Sequence, residues 1–182
     1  MTTTAAARDR MTIVSLSSPS TPRLRMESTG SPRTLLDGGW WPRSTDPVAE
    51  LPGLVLAIDN LRGSVTRLVL SVDGWDTHPR RLGVAGRVLR LGYFTSQPVN
   101  LLTALCDNGD RVDLLVVPPH TAEDAADAAM ILAATTDNLV HAQHILLTVS
   151  APIPEVAEDT WEGEGGHLAG SRFTSSRRQP IR

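Results

Sequence analysis

Read as a pattern of polar and apolar positions, the chain is a series of short strands flanked by helical stretches. Arg23-Leu24-Arg25-Met26-Glu27 alternates with the period of two of a half-buried strand, and Thr29-Gly30-Ser31-Pro32 stops it. Ser44-Thr45-Asp46-Pro47 then offers capping side chains followed by proline, after which Val48, Leu51, Val55, Ile58 and Leu61 recur at helical spacing as far as Gly63. Pro52 falls about one turn in, so this helix is expected to begin later or to bend there. From Ser64 onward the apolar runs are short. Strands are predicted over 65–72, 81–85, 87–94, 99–106 and 111–117, punctuated by Asp73-Gly74, Gly86, Ser96-Gln97-Pro98, Asp107-Asn108-Gly109-Asp110 and Pro118-Pro119. Strands joined by such brief loops are expected to be antiparallel neighbours, because parallel pairing needs a long crossover. Thr121 reads as the cap of a helix over 122–134, with Glu123 and Asp124 in its first turn, and a further helical stretch follows over 137–147. The pattern predicts an α+β fold, an antiparallel meander of about five or six strands with two or three helices covering one face.

Composition changes this picture mainly at the ends. Residues 1–20 are rich in Thr, Ala, Ser and Pro with few large apolar side chains, and 149–182 run acidic and then basic among Gly, Ser and Pro. Neither stretch carries enough apolar material to offset the entropy of ordering, so both are expected to be disordered tails around one domain at 21–148. Met11, followed by Thr-Ile-Val, offers an alternative start. There are 17 basic residues, every one Arg, and the formal net charge is −3. That mild balance makes nucleic acid an unlikely partner, and residues 44–148 alone set seven Arg against twelve acids. The single cysteine, Cys106, excludes an internal disulfide or a multi-cysteine metal site and fits a reducing, cytoplasmic setting. No apolar run has the length of a membrane span, so no membrane partner is expected.

Two segments concentrate candidate chemistry. In Leu36-Asp37-Gly38-Gly39-Trp40-Trp41-Pro42-Arg43-Ser44 the adjacent Trp40 and Trp41 point to opposite faces if the backbone is extended. One of them then enters the core while the other lines a cleft or meets a partner; the simpler reading has both packing, with Gly38 and Gly39 admitting a close backbone. In Asp73-Gly74-Trp75-Asp76-Thr77-His78-Pro79-Arg80-Arg81, His78 with Asp76 reads as a base and its orienting acid, and Arg80 or Arg81 as an anion contact. The simpler reading is a loop anchored by Trp75 with its charges in water. No nucleophile at motif spacing accompanies the pair. His141 and His144, three apart, have the spacing of helical metal ligands, but a third would have to come from His120 or Asp137, and surface residues are the favoured reading. Gly83, Gly86 and Gly92 sit among strands and form no dinucleotide fingerprint, and without Lys there is no phosphate loop, so no cofactor and no metal are expected. Cys106 ends a predicted strand and reads as a small buried hydrophobe.

At these same segments the chain resembles an actinobacterial family, domain of unknown function 5994. The resemblance is carried by residues 36–44, by Trp75-Asp76 with Pro79-Arg80-Arg81-Leu82, by Arg90-Leu91-Gly92-Tyr93-Phe94 and by Asp113-Leu114-Leu115-Val116-Val117-Pro118-Pro119, together spanning about 22–147. It implies a cytosolic actinobacterial protein and brings no activity with it. The first functional expectation is a non-enzymatic binding or regulatory module with a recognition surface of Trp40, Trp41, Arg43, Trp75, Asp76, His78, Arg80 and Arg81, since Trp and Arg are the residues that most often anchor interfaces. Such a surface suits an acidic protein partner or an anionic small ligand. The alternatives are a small enzyme using Asp76 and His78, with Asp37 as a third group, and weak nucleic-acid binding through the Arg-bearing tails.

Overall fold

A computed structural model describes residues 11–27 and 34–150. Its elements in chain order are β1 (Ile13–Val14), β2 (Arg23–Met26), β3 (Gly38–Trp41), α1 (Pro47–Arg62), β4 (Val65–Ser71), β5 (Arg81–Val84), β6 (Arg87–Phe94), β7 (Leu101–Cys106), β8 (Arg111–Val116), α2 (Glu123–Ala133) and α3 (Ala142–Ser150). The fold is α+β, with one eight-stranded mixed sheet in the order β1-β5-β6-β4-β7-β8-β3-β2. The five strands expected between 65 and 117 all form, close to their predicted limits, but they do not make a meander. β4 pairs with β6 in parallel and with β7 antiparallel, so the β5–β6 hairpin is displaced to one side of β4. The crossover that parallel pairing demands is supplied by residues 72–86, with β5 lying inside it. Two further parallel pairs, β1 with β5 and β3 with β8, close over still longer stretches of chain.

The helices do not share one face, as expected from the sequence, but divide between two. Trp40 and Leu114 belong to one buried cluster with Leu51, Leu54, Val55 and Ile58 of α1, whereas their neighbours Trp41 and Leu115 belong to a second with Ala126, Ala129, Met130 and Ala133 of α2. Successive residues of a strand point to opposite faces, so α1 covers one side of the sheet and α2 with α3 the other. Gly39 is what admits α2: a methyl group there would lie 2.8 Å from the Met130 Cα.

Local signals explain most of the boundaries. The Asp46 carboxylate accepts the Val48 amide at 2.9 Å and Pro47 opens α1, so the helix starts at the predicted cap and runs on through Pro52. The Glu50 carboxylate reaches back to the Arg43 amide and the Ser44 hydroxyl, at 3.1 and 2.9 Å, adding a second cap. Thr121 does not cap α2; Ala122 occupies the cap position without a side-chain bond. The last helix begins later than predicted, at Ala142, because Asp137 turns the chain with φ of 60° and the Asn138 carbonyl is engaged by the Leu35 amide at 3.0 Å.

The stop at 29–32 and most of the two expected tails lie outside the described residues. Where the tails are described, Ile13 and Val14 are ordered as β1 against Leu82 and Gly83, and Val149 belongs to α3. The pairing of β1 uses bare Gly83, where a methyl group would meet Val14 Cγ2 at 2.8 Å; two β-branched residues are too short a run to announce a strand.

Candidate functional site

The pairing directions decide where a site can form. β3, β8, β4 and β6 all point the same way, since β7 runs antiparallel to both β8 and β4. Their carboxyl ends, and therefore loops 42–46, 72–80, 95–100 and 117–122, meet at one end of the sheet, the position where sheets of this kind leave a crevice. Backbone bonds tie the loops together: the Asp76 amide donates to the Thr45 carbonyl at 3.1 Å, Val116 to Asn100 at 2.8 Å, and Val117 to Trp40 at 2.9 Å. Between them lies a cleft of about 200 Å³ walled by Pro42, Trp75, Val99, Val116, Pro118 and Pro119, with His120, Asn100, Ser44 and Thr45 supplying polar atoms at its margin.

Both members of the Trp pair pack, on opposite faces as the alternation predicts. Trp40 is 1% exposed and stacks with Trp75, ring centroids 6.0 Å apart and planes 18° from parallel. It contributes no surface itself; it is the floor on which Trp75 presents its ring to the cleft. Trp41, 8% exposed, faces α2 and donates from Nε1 to the Pro118 carbonyl at 3.2 Å. The Arg23 guanidinium lies 3.5 Å from its ring centroid and donates to the carbonyls of Trp41 and Pro42 at 3.0 and 2.8 Å. Burial, then the nearby charge of Arg43, pulls the Arg23 pKa below its ordinary value. Arg43 is exposed and donates to the Thr21 carbonyl at 3.0 Å, so two cations flank the Pro42 side of the cleft.

The candidate acid and base are not assembled. His78 is exposed, its Nε2 donates to the Val72 carbonyl at 2.6 Å, and its ring stands edge-on to Tyr93 at 4.7 Å. Among the described residues no hydrogen bond or ion pair joins it to Asp76, which is also exposed. Asp37 precedes the first residue of β3 and so lies at the opposite end of the sheet from loop 72–80. Its carboxylate accepts the Asp113 amide at 2.8 Å and stands 3.6 Å from Arg62. Burial raises its pKa above the ordinary carboxylate value, and the Asp113 bond and Arg62 oppose the rise. His141 and His144 face each other edge-on with centroids 6.1 Å apart, and among the described residues no group of three potential ligands gathers around them or elsewhere. Cys106 is buried in the α1-side core, and burial, with the negative charge of Asp110, Asp59 and Asp107, pushes its thiol pKa up. The environment holds it as a protonated thiol.

Arg80 and Arg81 stand apart from the tryptophans. Arg81 opens β5 and projects from the side of the sheet opposite α1, together with two arginines that the sequence reading did not single out, Arg67 and Arg90. The other residues that sequence reasoning missed are the far walls of the cleft, Val99, Pro118 and Pro119. Their signal was present as turn punctuation, but only the folded order of the strands brings them to Trp75.

An eight-stranded mixed sheet roofed by helices on both sides, with its loops gathered at one end, defines the class of this domain. A model of the Family of unknown function (DUF5994) matches residues 23–133, and the chain belongs to that family. No curated protein and no solved structure matches it. Among the described residues no helix is long and apolar enough to cross a membrane.

Proposed function

We propose that this chain is a non-enzymatic binding module that uses the Trp75 cleft to hold one apolar side chain of an acidic protein partner. The observation that carries the reading is the cleft itself: prolines and Trp75 form its walls, Trp40 braces it from below, and Arg23 and Arg43 stand beside it. At about 200 Å³ it is smaller than the ~300–1,000 Å³ typical of sites for whole small molecules, and matches a single aromatic or branched side chain. Rigid aromatic walls lose little entropy on binding, and adjacent guanidiniums select for neighbouring carboxylates. A catalytic reading through Asp76 and His78 is weaker, because Asp37 lies at the far end of the sheet and both loop residues are exposed.

Selection of a random peptide library against the full chain tests this. Enriched peptides are expected to share an aromatic or branched residue next to Asp or Glu, and Trp75→Ala is expected to weaken them about tenfold or more, the loss of an interface anchor. Arg43→Ala is expected to cost less and to flatten the salt dependence. Peptides that bind Trp75→Ala as well as the native chain would refute the proposal.

A further inference from the structure

Among the described residues, the side of the sheet that carries α2 and α3 is covered over only half its strands. Over β2, β3 and β8 the helices pack on Trp41, Leu115 and Val117, but over β4, β5 and β6 no helix among the described residues lies on the same face. On that bare half the register places Arg67 of β4 opposite Arg90 of β6, and Arg90 opposite Arg81 of β5. Each alternates with buried leucines of the α1-side core, Leu68, Leu89 and Leu82, so all three guanidiniums project from the uncovered face. Neighbouring strands are about 4.8 Å apart, so three cations stand in a row roughly 10 Å long. Like charges directly opposite on a sheet are destabilising. The other arginines nearby have their countercharges, Arg87 with Asp59 and Arg111 with Asp113, whereas Arg67, Arg81 and Arg90 have no carboxylate partner among the described residues. Such a row calls for an external anion.

An aromatic completes the surface. Phe94, 50% exposed, lies across Gly92, where a methyl group would fall 2.8 Å from its ring. Gly92 is two residues along β6 from Arg90 and pairs with Val69, so Phe94 and Val69 form a flat apolar platform beside the cationic row. The depressions there, of about 280 and 470 Å³, adjoin and share Arg67 and Arg90.

We infer that this bare face binds single-stranded nucleic acid, the arginine row holding successive phosphates while Phe94 stacks on a base. Guanidiniums bind phosphate bidentately, and an open sheet with a flat aromatic beside cations is the arrangement that accepts unpaired bases without reading their sequence. An acidic protein segment would satisfy the charge and would leave Phe94 without a role. The net charge of −3 does not oppose the inference, because at physiological salt a phosphate on this face is screened from charges more than about 8 Å away. The site is on the other side of the sheet from the Trp40–Trp75 stack and stands whether or not the cleft binds a partner.

The test is titration of the full chain into a labelled oligouridine of about twelve nucleotides, followed by fluorescence anisotropy over a range of salt. The expected logarithmic salt slope is about −2, from three neutralised phosphates at roughly 0.7 each. Replacing Arg67, Arg81 and Arg90 together by Gln is expected to remove binding, with the tails untouched and the thermal midpoint retained as the check of folding. Phe94→Ala alone is expected to weaken binding about tenfold. Three results would overturn the inference: no anisotropy change at low salt, undiminished binding by the triple variant, or polyglutamate competing at equal charge while Phe94→Ala binds like the native chain. The last would assign the face to an acidic protein instead.

Discussion

Two halves of one sheet face meet opposite fates here. Over β3 and β8 the outward side chains are Trp41, Leu115 and the bare Gly39, and α2 settles on them with Ala126, Ala129, Met130 and Ala133. Over β4, β5 and β6 the outward side chains include Arg67, Arg81 and Arg90, and no described helix lies there. The backbone is the same pleated surface in both halves. What differs is that a helix of small residues gains free energy by drying an apolar half and would lose it by drying three guanidiniums. Roofing is thus decided strand by strand, by the residue on the outward side of the alternation.

The largest effect should come from damaging the roofed half. Trp41→Ala removes an aromatic surface from under α2, the stacked Arg23 and the bond to the Pro118 carbonyl, and is expected to cost about 3–5 kcal/mol in urea unfolding. Phe94→Ala in the bare half, an aromatic of similar role on paper, is expected to cost less than about 1 kcal/mol, because Phe94 is half exposed already. Equal losses at the two positions would show that the bare half is covered in solution.

A smaller effect of opposite sign is expected in the arginine row. Arg90 has a like charge opposite it on both neighbouring strands, so Arg90→Thr is expected to raise stability by about 0.2–1 kcal/mol at low salt. Added salt should shrink the gain, since screening already relieves the repulsion. A loss of stability would mean that the guanidinium packs on Val69 or Val88 more than it repels its neighbours.

How much of this was legible in the sequence follows the same division between local and non-local causes. The strand over 87–94 is announced by the alternation of Arg87, Leu89, Leu91 and Tyr93 with Val88, Arg90 and Gly92, and α1 by Asp46-Pro47; both form where the pattern puts them. The opposite facing of Trp40 and Trp41 is likewise a local fact. Strand order is not. Nothing in the spacing of Arg67, Arg81 and Arg90 shows that β6 inserts between β4 and β5, and without that insertion the row does not exist. The cleft was half legible for the same reason: Trp75 stands out, whereas Val99 and Pro118 meet it only through parallel β4 and β8. A hint was available in Arg67, Arg81 and Arg90, one on the polar side of each of three strands with no acid beside them.

The smallest effect separates two opposing forces on one partly buried acid in the roofed half. Asp37, where β3 begins beside β8, is drawn toward the neutral form by burial and toward the charged form by Arg62 and the Asp113 amide. Burial wins, so its pKa in the folded chain lies above the 3.8 of the free side chain, and the folded state binds the proton more tightly than the unfolded state. The sign follows: this group stabilises the fold below its unfolded value, and the contribution fades as pH rises from there through the higher folded value. Asp37→Asn keeps an acceptor for the Asp113 amide and has no proton to lose. Urea unfolding of the two chains across the acid range should therefore show the native chain losing stability relative to Asp37→Asn as pH increases. The opposite slope would mean that the Arg62 contact, long at 3.6 Å, outweighs the desolvation of the carboxylate.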